Sequence, residues 1–277
     1  MYKLSNTLIP AMLSVAIFAC GDTKSANPDA ITPGIDARQL DARVVDAVPV
    51  LPDAPPANRG SLLFDGAGDF AQIPGTAAIS TLTAVTIEAW VKPLGAGTTA
   101  SKILEKPLAQ GTQYMLFRES DARLFGETWG IGSGTRPTTN RLATLTSGTW
   151  SHIALTFRGG DLLIYVNGML VGSSPSAQMS TALNDLLIGK GVDNTASFNG
   201  AIDELRIWNV ARSQAELQLN RSVLLQGNEA NLVGYWNFDE GTGDQIHDKT
   251  VGSNTGRLGA SLGADASDPV WSTDKPF

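Results

Sequence analysis

The stretch VTIEAWVKP, residues 85–93, decides the fold class. Val85, Ile87, Ala89 and Val91 alternate with Thr86, Glu88 and Trp90. This period of two belongs to a β-strand, in which successive side chains point to opposite faces. Four apolar residues on one face need a core to cover them, and one strand cannot supply it. The chain must therefore hold further strands that pair beside this one and close over the same interior.

Those partners are legible on both sides. Ser61–Phe64 reads as a strand ending at Asp65-Gly66, and Phe70–Ile73 is expected to resume it after a short Asp/Gly-rich turn, until Pro74 breaks it. Lys102–Glu105, Tyr114–Phe117, Glu127–Ile131 and TWSHIALTF (149–157) follow, each bounded by Gly, Pro, Asn or Thr. In LLIYVNGMLVGS (162–173), Asn167-Gly168 sits between two β-prone runs, where a type I′ turn needs positive φ at both central positions. FNGAIDELRIWN (198–209) is another strand. Ser213 and Glu216 then have capping-box spacing, which opens one short helix carrying Leu217. LVGYWNFDEGTG (232–243) returns to strand and turn, and Trp271 is the expected anchor of a Gly/Asp/Ser-rich tail. Many short strands and a single helix predict an all-β sandwich or jelly roll and exclude an α/β fold.

Composition narrows the function. The 277 residues carry 20 Lys and Arg against 27 Asp and Glu, a net charge of −7, with no basic stripe. Such a surface repels nucleic acid. With one cysteine, Cys20, and two histidines, His152 and His247, neither an intrachain disulfide nor a Cys/His metal site can form.

The first 59 residues read differently from the rest. Lys3 precedes an apolar run from Leu8 to Phe18, too short for a stable bilayer-spanning helix, as in an export signal over residues 1–19. Ile17-Phe18-Ala19-Cys20-Gly21 resembles the bacterial lipobox, with Phe18 bulkier than usual. The resemblance implies lipidation at Cys20 and anchoring in the cell envelope, expected at the outer membrane, facing periplasm or exterior. Residues 20–59 are rich in Asp, Ala and Pro, with Asp-Ala recurring at Asp29, Asp36, Asp41, Asp46 and Asp53. They hold too few large apolar residues to offset backbone ordering and are expected to be a disordered linker. The remaining block, 60–277, is of a size that β-sandwiches reach as one domain.

Within that block SLLFDGAGDFAQIP, VTIEAWVKP, TWSHIALTF, LLIYVNGMLVGS and FNGAIDELRIWNVARSQAEL, in that order over about 61–220, resemble the laminin-G-like, pentraxin-related jelly roll of the concanavalin A-like class. LVGYWNFDEGTGDQIHDKTVGSNTGRLGA resembles a stretch usually found before such a domain. Here it follows, so 232–277 either completes the sandwich or is the remnant of a second copy, and its short length favours completion. The resemblance implies two antiparallel sheets face to face and a glycan-binding or adhesive role outside the cell.

Related jelly rolls often hold a structural calcium ion, which takes six to eight oxygens. Asp65 and Asp69 in their Gly-rich turn, and Asp203, placed on the same strand face as Leu205 and Ile207, are the candidate ligands. Otherwise Asp65 and Asp69 make Asx turns and Asp203 accepts backbone hydrogen bonds. Trp90 and Trp129 are the candidate sugar-stacking rings, against a packing role for both. A glycosidase needs two facing carboxylates, and the nearest pair, Asp203-Glu204, is adjacent in a strand and so expected on opposite faces. His152 within a strand reads as structural and His247 as a solvated loop residue. The expected function is a tethered, non-catalytic module for an extracellular glycan or surface protein. A carbohydrate hydrolase or lyase, and a structural envelope protein with a protein partner, are the alternatives.

Overall fold

The computed structural model describes residues 60–95, 100–130, 133–135, 138–139, 141–175, 178–193 and 196–277. The export signal, the linker, Cys20 and Ile131 lie outside the described residues. In chain order the strands are β1 (Ser61–Asp65), β2 (Ala71–Ile73), β3 (Ala84–Pro93), β4 (Ser101–Pro107), β5 (Thr112–Arg118), β6 (Leu124–Gly130), β7 (Ser133–Thr135), β8 (Thr138–Thr139), β9 (Ser151–Arg158), β10 (Asp161–Val166), β11 (Met169–Ser174), β12 (Leu186–Ile188), β13 (Asn199–Trp208), β14 (Leu232–Trp236), β15 (Gln245–Ile246), β16 (Gly256–Leu258) and β17 (Val270–Ser272). Among the described residues two α-helices accompany them, α1 (Ala77–Ser80) and α2 (Gln214–Asn220). The sequence points to only one of these; α1, four residues long, has no side-chain cap to announce it.

The strands form two antiparallel sheets. One runs β17-β1-β13-β3-β9-β10-β11-β8, with β14 also on β13; the other runs β15-β16-β2-β12-β4-β5-β6-β7. Val85, Ile87, Ala89 and Val91 enter one apolar core with Leu62, Phe64, Ile153, Leu155, Ile202, Leu205 and Ile207 from their own sheet. Ala71, Ile73, Leu104, Tyr114, Leu116, Leu186 and Ile188 meet them from the other. At Gly126 the sheets approach closely: a Cβ there would meet Ile164 Cδ1 at 2.3 Å and Leu155 Cδ1 at 2.7 Å.

β1 and β2 are not one resumed strand. Asp65 to Phe70 is the crossover between the sheets, because β1 pairs with β13 while β2 pairs with β12 and β16. The hairpin of β10 and β11 turns at Asn167 (φ 52) and Gly168 (φ 76), both positive as a type I′ turn requires. The capping box of α2 is formed, with Ser213 N–H donating to Glu216 Oε2 at 2.7 Å and Glu216 N–H donating back to Ser213 Oγ at 3.4 Å.

The C-terminal stretch belongs to the same sandwich and serves both sheets. β14 extends beside β13 and β17 beside β1, while β16 pairs with β2 and β15 with β16. Asp248 organises the return loop by accepting from the N–H groups of Tyr235 (3.0 Å), Thr250 (2.9 Å) and Asn254 (2.9 Å). Trp271 packs partly buried on the core, its indole N–H donating to Gly243 O at 2.9 Å.

Candidate functional site

The face of β3, β9 and β13 turned away from the core is not open. It is covered by α2 and the segment after it, through a buried polar layer. Glu88, fully buried, accepts from Trp208 Nε1 at 2.8 Å and from Arg212 Nη1 at 3.0 Å. His152 Nε2 lies 3.2 Å from Glu88 Oε2, but the two are not aligned as a hydrogen bond. Burial works against a charged Glu88, yet His152, Arg206 and Arg212 together hold its carboxyl down at about 2. Arg206 spans from Glu204 to the carbonyls of Asn220 (3.1 Å) and Val223 (2.7 Å) and so fastens the α2 segment to the sheet. His152 is a structural residue in this layer, and exposed His247 has its backbone N–H on Glu240.

Trp90 is part of this layer. It is 9% exposed, donates its indole N–H to Arg221 O at 2.7 Å, and contacts the rings of His152 at 5.6 Å and Phe277 at 5.8 Å. Little of the ring is left for a sugar. Trp129, on β6, is half-buried; its indole N–H donates to Glu127 Oε1 at 2.6 Å, and its ring packs on Gly111, where a Cβ would come within 2.3 Å.

Asp65, Asp69 and Asp203 do not form one calcium site. Asp65 N–H donates to Asp69 Oδ2 at 2.9 Å and Ala67 N–H to Asp65 Oδ1 at 2.6 Å, an Asx arrangement within the crossover. Burial, with the Asp65 carboxylate beside it, pushes the Asp69 carboxyl up. Register keeps Asp203 away. Asp65 lies opposite Asn199, four residues before Asp203 on β13, which at ~3.4 Å per residue is a separation of roughly 14 Å. Among the described residues, no three His, Cys, Asp or Glu side chains form a metal-holding group.

Asp203 also faces the other way from its expected direction. A bulge interrupts the β13–β3 pairing between Asp203 and Arg206, with Glu204 at φ 54. The extra residue turns Asp203 away from the core side taken by Ile202, Leu205 and Ile207, opposite Trp90. Adjacent Asp203 and Glu204 therefore line one recess with Leu224, Asp239, Lys275 and Phe277, rather than opposite faces of the sheet. It opens on one side of β13, between the start of β1, where Leu62 lies opposite Ile202, and the end of β14, where Trp236 lies opposite Leu205. Burial first, then the charge of Glu204, pushes the Asp203 carboxyl up to about 9. Glu204 stays in contact with Arg206 and accepts from Tyr235 OH at 2.9 Å. The recess has a volume of ≈ 10 Å³, about one water.

A larger cleft of ≈ 240 Å³ lies at the β15-β16-β2-β12 edge of the other sheet, lined by Gln72, Pro74, Asp185, Gln245, Thr255, Arg257 and Leu262. Gln72 is the central rung. Its Oε1 accepts from Arg257 Nη2 at 3.3 Å, and its Nε2 donates to Asp185 Oδ2. Asp185 Oδ1 accepts the Gly75 N–H at 3.0 Å. The floor thus offers donors and acceptors side by side, and exposed Leu262 gives an apolar rim. No local motif announces it, because Gln72 and Arg257 are 185 residues apart in the chain.

No curated protein sequence matches the chain. A structure from Bacteroides ovatus ATCC 8483, described as a candidate carbohydrate-binding protein, superposes with a TM-score of 0.57 at 19% identity, covering 76% of this chain and 60% of that one. The chain thus spans under two thirds of that protein, and the likeness concerns the fold alone. A heptameric SAP-like pentraxin from Limulus polyphemus (TM-score 0.46, 17% identity, 58% of this chain and 81% of that one) and the Trypanosoma rangeli sialidase (0.45, 16%, 57% and 27%) are more distant. The family described as the concanavalin A-like lectin/glucanases superfamily, Laminin_G_3, matches residues 65–218, more than half of the chain, and the chain belongs to it.

Proposed function

We propose that the protein is a carbohydrate-binding module that does not turn its ligand over, exported and held at the cell envelope through Cys20. The observation that supports this most is the cleft at Gln72, Asp185 and Arg257. It is a concave site of useful size, with a few convergent polar groups fixed by one another, as small-ligand sites require. Saccharide hydroxyls both donate and accept, and this floor does the same. The anchor rests on the wording of residues 1–20.

The hydrolase alternative has one feature in its favour, the Asp203–Glu204 pair, in which Asp203 is held neutral while Glu204 faces an arginine. Its recess of ≈ 10 Å³ cannot admit a sugar ring, which argues for binding over catalysis. A glycan array probed with the purified protein tests the proposal: a coherent set of bound saccharides, released unchanged, is expected. An empty array, or products that disappear on Asp203→Asn, would overturn it.

A further inference from the structure

We infer that the cleft selects acidic saccharides, and that Arg257 receives the carboxylate of the sugar. This rests on the carbohydrate-binding reading and adds to it a ligand class and a residue. The two charged side chains of the cleft are unequally satisfied. Asp185 has Gln72 Nε2 on one oxygen, the Gly75 N–H on the other, and the buried Lys106 ammonium close enough to feel its charge. Arg257 has much less. Among the described residues its side chain makes one hydrogen bond, to the neutral carbonyl oxygen of Gln72, it meets no carboxylate, and Nε has no partner.

A half-buried guanidinium with an unanswered charge at the wall of a cleft is a site for an anion. The guanidinium fork matches the two coplanar oxygens of a carboxylate and adds direction to the attraction. Gln72 is the positioning residue, since its amide is held by Asp185 on one side and orients Arg257 on the other. Neighbouring Gln245 and Thr255 supply groups for the hydroxyls of the same ring. Arg257, Thr255, Gln245 and Leu262 all lie beyond residue 218, where the family match ends, so this half of the cleft is built by the C-terminal stretch.

Titration calorimetry on the purified protein tests this with a galacturonate trisaccharide, its methyl ester and a neutral galactose oligomer. A second arm, sialyllactose against lactose, distinguishes a uronate from a nonulosonate source of the carboxylate. One acidic ligand is expected to bind at least about tenfold tighter than its neutral counterpart, as suits a charge-assisted contact. Arg257→Gln should abolish that preference at unchanged melting temperature, and Arg257→Lys should keep part of it. Leu262→Trp, a rim change that leaves the floor intact, should weaken every saccharide. Equal binding of acidic and neutral ligands, a preference that survives Arg257→Gln, or saccharide binding undiminished in Leu262→Trp would overturn the assignment while leaving carbohydrate binding in place. No binding here or on the array would overturn both.

Discussion

Glu88 shows how much of this molecule rests on single buried charges. It neutralises Arg206 and Arg212 inside the layer under α2 and anchors Trp208. Glu88→Gln keeps an acceptor but strips the charge, and breaking a buried ion pair in this way costs about 3–5 kcal/mol. Urea denaturation should show that loss, whereas a change below about 1 kcal/mol would remove the layer from the account. Because the folded carboxyl is held at about 2 against an ordinary 4.5, its contribution is complete above pH 4.5 and is lost as pH falls toward 2. Asp203 has the opposite sign. Its carboxyl, raised from 3.8 to about 9, binds more protons folded than unfolded, so stability declines as pH rises between those values. Asp203→Asn should raise the melting temperature at pH 8 and flatten that decline; an unchanged profile would contradict it. A chelator should leave melting unchanged, since Asp203 lies apart from Asp65 and Asp69, and a drop of several degrees would reveal an ion bound elsewhere. The sequence singles out the three aspartates but not the charged layer around Glu88, and it misdirects Asp203, because a bulge with a non-glycine residue at positive φ leaves no local signal.

At the scale of elements, strong local chemistry is legible and short paired segments are not. The β10–β11 hairpin and the α2 cap form where Asn167-Gly168 and Ser213–Glu216 place them. Gly168 joins the two, because a Cβ there would fall 2.6 Å from Gln218 Cγ on α2 in a left-handed backbone. Gly168→Ala should therefore cost about 1–2 kcal/mol for the backbone alone. Its signature is a lower denaturation midpoint at unchanged slope, and a neutral result would contradict the I′ turn. β12, β15, β16 and β17, each two or three residues long, have no periodicity to read and exist through their partners. The cleft joins Gln72 of the three-residue β2 to residues on or beside β12, β15 and β16, which is why the tryptophans, and not Gln72 or Arg257, stand out in the sequence.

Across the whole molecule, the stretch after residue 231 decides closure. It adds β14 and β17 to one sheet and β15 and β16 to the other, and it buries Trp236 and Phe238 in the shared core. A chain ending at residue 231 would expose the edges of β1, β2 and half of β13, and is expected to lose cooperative thermal unfolding; a truncation as stable as the full protein would show the extension to be an appendage. The same stretch supplies half of the cleft, so the element that completes the fold also creates the site. The most direct test of that claim is a crystal structure of the protein grown with its best-binding oligosaccharide. The account predicts a sugar seated against Gln72, Asp185 and Arg257. A sugar bound instead over the Asp203 recess, or elsewhere with this cleft vacant, would contradict it.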